Sequence, residues 1–165
     1  MTGVQTCALP IYYDPRIDKA QLLFEQELLE DAVVEFAGGS AALFSMRCPG
    51  KETPNEDAVA LIPTGQSSGV LAVADGLGGA PAGKQASYLA LRCLASAVTR
   101  AIRHGAEVRG GTLDGFESAN KEVLGLGIGA ATTLTVVEFD GQFVRHYHVG
   151  DSMVLLDRKS TRLNS

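Results

Sequence analysis

Apolar residues recur at helical spacing along one long stretch of the chain. Ala86, Leu89, Ala90, Cys93, Leu94, Ala97, Val98, Ala101 and Ile102 fall at i, i+3, i+4, i+7 and i+8, while Lys84, Ser87, Arg92, Ser96 and Arg103 take the other side. That spacing predicts a long amphipathic helix opening after Pro81 and closing near Gly105, with Arg100, Arg103 and His104 suited to the negative end of its dipole. A second pattern, Phe116, Ala119, Val123 and Leu124, predicts another helix before the breaker Gly125-Leu126-Gly127-Ile128-Gly129. Across 18–34, Leu22, Leu23, Leu28 and Leu29 mixed with Glu25, Glu27 and Glu30 predict a short surface helix.

Elsewhere the period shortens to that of strands. Residues 33–46 read as a strand or hairpin around Gly38-Gly39, followed by a loop with Pro49, Gly50 and Pro54 that delivers Asn55-Glu56-Asp57. The apolar runs 58–62 and 70–74 flank a polar turn, and the second is expected to stop at Asp75, where Asp75-Gly76-Leu77-Gly78-Gly79 begins. Residues 132–139 and 142–149 form a hairpin pattern around Asp140-Gly141, leading to Gly150-Asp151-Ser152 and the apolar run 153–156. Strands, two consecutive helices and strands again predict an α+β fold with helices laid on an antiparallel sheet. A parallel dinucleotide-binding sheet would require regular βαβ alternation, which is absent.

Composition narrows the classes. The 165 residues are 45% hydrophobic and 20% charged, as in an ordinary globular domain. A net charge of -5 argues against a nucleic-acid binder, which concentrates Lys and Arg to displace counterions. Cys7, Cys48 and Cys93 are widely spaced, so neither a disulfide framework nor a zinc knuckle is expected, and reduced thiols in a cytoplasmic protein are. No apolar run reaches the roughly 18–20 residues needed to span a bilayer, the longest candidate, around 86–102, being interrupted by Arg92 and Arg100. The ends, GVQTCALPI and RKSTRLNS, resemble translated sequencing-adapter read-through. A single domain is therefore expected over 12–157, with 1–11 and 158–165 outside it.

Three acidic residues stand where strands meet loops: Asp57, Asp75 and Asp151. Carboxylates on strand ends can converge from distant parts of a chain, and such hard oxygen donors suit Mg or Mn. The glycines after Asp75 leave the backbone uncovered, so the carbonyl of Gly76 can also reach a cation. Singly, each has a plainer reading as a turn or cap residue. His146 and His148 share a strand face at i, i+2, but no third zinc ligand accompanies them, and sheet-surface residues are expected. Gly125-x-Gly127-x-Gly129 precedes a strand, which removes the phosphate-binding mechanism of a dinucleotide loop.

Taken in order, NEDA, VADGLGG, GAATTLTVVEF and HVGDSMVLL resemble the N-terminal half of the type-2C (PPM family) metal-dependent protein serine/threonine phosphatases, over roughly residues 33–157. The resemblance implies a partial αββα sandwich of antiparallel sheets flanked by helices, with metals at one end. It implies that Asp57 is a ligand of one core metal, that Asp75 bridges two with help from the Gly76 carbonyl, and that Asp151 helps hold a third. The implied cofactors are Mg or Mn, and the implied partner is a phosphorylated protein. The implied reaction is phosphomonoester hydrolysis by a metal-activated water, without a protein nucleophile, in a cytoplasmic, monomeric bacterial enzyme.

The sequence also departs from that family. Where an arginine commonly binds phosphate, Glu52 stands, and the adjacent Lys51 is the substitute expected here. Leu77 occupies a position that is histidine in some relatives, and Met153 one that is commonly arginine. The second DG motif and the DN motif, whose aspartates complete the family's metal cluster, do not occur after Asp151. An incomplete and inactive fragment is the expectation for this chain. The rival readings are a non-catalytic relative serving as a binding or regulatory module and a different metal-dependent hydrolase.

Overall fold

A computed structural model describes residues 20–24, 32–47, 49–50, 52–77 and 82–157. The suspected tails, Cys7, Cys48, Lys51, Gly78, Gly79 and Pro81 lie outside the described residues. The elements are β1 (Gln21–Phe24), β2 (Ala32–Phe36), β3 (Gly39–Leu43), β4 (Asp57–Pro63), β5 (Gly69–Leu77), α1 (Ala82–Arg103), α2 (Val108–Gly125), β6 (Ala131–Thr132), β7 (Leu134–Phe139) and β8 (Val144–Val149).

Every strand pair is antiparallel. A six-stranded sheet runs in the order β1-β4-β5-β7-β8 with β6 added to the end of β5, and β2-β3 make a separate hairpin. The fold is α+β, as expected. Among the described residues it provides one helical layer, the main sheet and a two-stranded piece of a second sheet.

Alternation along β4 and β5 determines which face is covered. Ala58, Ala60, Ile62, Val70, Ala72 and Ala74 are buried with Leu91, Leu94 and Val98 of α1 in one core. Small side chains on the sheet let the helix approach closely, so the layer is held by dense contact rather than by bulk. The two helices approach each other in the same way. A Cβ on Gly111 would lie 2.7 Å from Ala101 Cβ, and one on Gly115 would lie 2.9 Å from Leu94 Cα. Interior glycines cost a helix roughly 1 kcal/mol each, and here they let α2 sit directly on α1.

The opposite face of the sheet is largely open: Val73 is 45% exposed and Leu77 71%. Among the described residues, the β2-β3 hairpin crosses it. Phe36 of β2 meets Phe139 of β7 edge-on, with ring centroids 5.9 Å apart, and the groove between hairpin and sheet has a volume of about 460 Å3.

Three expectations need correction. The surface helix predicted over 18–34 is absent from its described parts, because Gln21–Phe24 pairs with β4 and Ala32–Phe36 with β3. Leu22 is buried by that pairing, so tertiary contact overrides an imperfect helical period. The strand expected to stop at Asp75 continues through Leu77, because Gly76 and Leu77 pair with Thr132 and Ala131. The strand read over 132–139 is broken at Thr133.

Candidate metal centre

The register of β4 against β5 sets Asp57 directly opposite Asp75. Residues so paired point to the same face, and here it is the open one: Asp57 is half-buried and Asp75 exposed. Two carboxylates directly opposite across a ladder repel each other. A divalent cation between them would turn that repulsion into attraction.

Each aspartate is fixed through its backbone. The amide of Asp57 donates to Asn55 Oδ1 at 3.1 Å, and Asn55, itself buried, donates from Nδ2 to Ser45 Oγ at 2.7 Å. The loop entering β4 is thereby tied to the segment leaving β3. The amide of Asp75 donates to Thr133 Oγ1 at 3.0 Å, and its carbonyl accepts from Thr133 N at 2.9 Å and from Thr132 Oγ1 at 3.0 Å.

The same Thr133 hydroxyl reaches Ser152 Oγ at 2.8 Å, and Thr135 Oγ1 donates to the Ser152 carbonyl at 3.4 Å. Asp151, adjacent to Ser152 and exposed, is brought to the same end of the sheet by this route. The turn depends on Gly150, whose φ is +99° and whose added Cβ would lie 2.6 Å from Thr133 Cγ2. Thr133 therefore links the Asp75 and Asp151 segments, a role the sequence reading missed. The only sign of it was the two consecutive threonines in GAATT.

A second missed residue is Glu56. Its Oε1 is buried without a hydrogen-bond partner, its carbonyl accepts from Ser87 Oγ at 2.6 Å, and a Cβ on Gly83 would lie 2.7 Å from that carboxylate oxygen. Gly76 and Gly83 meet backbone to backbone: an added Cβ at Gly83 would lie 2.9 Å from the Gly76 carbonyl oxygen. The start of α1 thus presses on the strand that carries Asp75. The Glu56 carboxylate is thus held against α1 at Gly83, while the hard oxygen donors that suit a divalent cation are those of the paired Asp57 and Asp75.

Among the described residues, no three His, Cys, Asp or Glu side chains are gathered into a metal cage. His146 and His148 stack at 5.9 Å with an interplanar angle of 16° on the open face and acquire no third ligand among the described residues. No helix among the described residues is long and apolar enough to cross a membrane.

Fold and site together define an antiparallel α+β protein with an acidic centre at one end of its sheet. The family model described as protein phosphatase 2C matches residues 47–164 of the 165-residue chain, and the chain belongs to that family. No curated protein and no solved structure matches it. Family membership makes it a phosphatase domain by descent, in a family that typically uses Mg or Mn.

Proposed function

We propose that this domain serves the metal-dependent hydrolysis of phosphoserine or phosphothreonine in proteins. The observation that carries the reading is the cross-strand pairing of Asp57 with Asp75. Asp57, Asp75, the Gly76 carbonyl and Asp151 would hold Mg or Mn. A bound divalent ion offsets the repulsion between these carboxylates and a phosphate dianion and lowers the pKa of a water toward neutrality.

Asn55 orients Asp57, and Thr133 orients Asp75, through the backbone bonds described above. Lys51 is the residue proposed to bind phosphate. Ser152 has its hydroxyl engaged with Thr133 and serves as a tether rather than a nucleophile.

This chain alone is expected to bind metal weakly and to turn over little substrate. A second reading, a phosphatase-like module that binds without catalysis, is favoured by the lack of a three-ligand cage among the described residues. Electron paramagnetic resonance of added Mn(II) tests the centre: bound Mn is expected in the wild-type chain and lost in Asp57→Asn and Asp75→Asn. Equal binding in all three chains would remove the centre from consideration. Substantial Mn-dependent release of phosphate from a phosphopeptide, abolished by Asp75→Ala, would overturn the expected inactivity and the non-catalytic reading together.

A further inference from the structure

At the other end of the main sheet lies a polar cavity of about 530 Å3, lined by Thr64, Ser68, Arg109, Glu138, Asp140 and Arg145 among others. β4 runs from Asp57 to Pro63, so Thr64 lies roughly 20 Å from the aspartate end at the usual rise of a strand. The volume is in the range of small-molecule sites, about 300–1,000 Å3.

The cavity's hydrogen-bonding groups divide unequally. Most acceptors are already used. Glu138, buried, accepts from Arg145 Nη1 at 3.0 Å and from the Tyr147 hydroxyl at 3.1 Å. Asp140 Oδ1 accepts from the amides of Gln142 at 3.3 Å and Phe143 at 3.0 Å. Ser68 Oγ pairs with the Thr64 hydroxyl at 2.9 Å, and the Ser68 carbonyl takes the amides of Thr64 and Gly65.

The donors are left over. Among the described residues Arg109 makes no hydrogen bond or ion pair, and Arg145 uses only Nη1. Glu107, the N-cap of the 18-residue α2, makes no side-chain cap bond. Glu107 is the one carboxylate at the rim without a partner among the described residues, and it is exposed. Arg109 is exposed and lines the cavity at its rim.

We infer that this cavity is a binding site for a small anion bearing a phosphate or carboxylate group, received between Arg109 and Arg145. Charge-assisted bonds from two guanidiniums give such a group a bidentate grip that water at the rim does not. The site is separate from the acidic centre and does not depend on metal.

The test is a titration of the full chain with inorganic phosphate, AMP and citrate in EDTA, followed by amide chemical shifts in NMR at constant ionic strength set with chloride. Saturable shifts are expected at 64–68 and at the start of α2. Phosphate and AMP acting without citrate would assign the ligand as a phosphate, and citrate alone would assign it as a carboxylate. Arg109→Gln, at an exposed position, should weaken binding about tenfold through loss of a charge-assisted contact. Glu107→Gln should tighten it, and Asp75→Asn should leave it unchanged. Absence of saturation with all three probes, equal shifts with chloride, or undiminished binding in Arg109→Gln would overturn the inference.

Discussion

The two faces of the main sheet are built from the same strands by opposite means. On the helix side, Ala58, Ala60, Ala72 and Ala74 are closed over by α1, and position depends on side-chain volume. On the open side, Asp57, Val73, Asp75 and Leu77 are held by strand register and backbone hydrogen bonds, with little packed against them. The difference shows where a charged centre can be positioned without a buried cage: on a backbone that the other face has already made rigid.

That contrast can be broken by substitution. Leu94→Ala, in a fully buried residue touching Gly115, should cost about 2–5 kcal/mol in urea unfolding. Gly76→Ala should cost about 1–3 kcal/mol, because the new methyl meets the Gly83 backbone and lies 2.8 Å from the Glu56 carbonyl. If both changes leave the unfolding midpoint unmoved, the helix side is not the rigid one.

Tyr147→Phe should cost about 1 kcal/mol at neutral pH for the lost bond to Glu138. Burial first, and then the hydrogen bond and charge of Glu138, raise the Tyr147 phenol above its ordinary value. The sign follows directly. A phenol raised in the fold contributes stability that is complete below its unfolded pKa near 10 and is lost as pH rises through the folded value. Unfolding measured from about pH 9 to 11 should therefore show an alkaline decline in the wild type that Tyr147→Phe flattens.

Smaller effects belong to the open face. Asp75→Asn should stabilise the metal-free chain by roughly 0.2–1 kcal/mol by removing the repulsion with Asp57, while added Mn should raise the melting temperature of the wild type only. Val73→Thr, on the same strand, should change stability by less than about 0.5 kcal/mol. A loss there as large as that of Leu94→Ala would erase the distinction between the faces.

Much of this arrangement was legible in the sequence. The 3.6-residue spacing from Ala86 to Ile102 announces α1, and Asp140-Gly141 announces the β7-β8 hairpin, because both signals are local. α2 was harder to see. Its apolar pattern begins only at Phe116, and what lets Gly111 and Gly115 sit inside the helix is contact with α1, which no local window contains. β1 was misread for a related cause, since its partner β4 lies more than thirty residues away.

In the candidate site, the aspartates stood out by residue type and by their position at strand ends. Glu56 and Thr133 did not. One matters through burial against Gly83 and the other through two hydrogen bonds to separate segments, and neither relation leaves a spacing to count.

The pairing of Asp57 with Asp75 also makes the centre a gauge of alignment. A slip of β4 by a single residue would carry Asp57 through the sheet to the side of α1 and put Ala58 in its place opposite Asp75. Cation affinity in this chain would then report how faithfully two strands are matched, so that a mutation far along β4 could silence the centre without touching any group that binds.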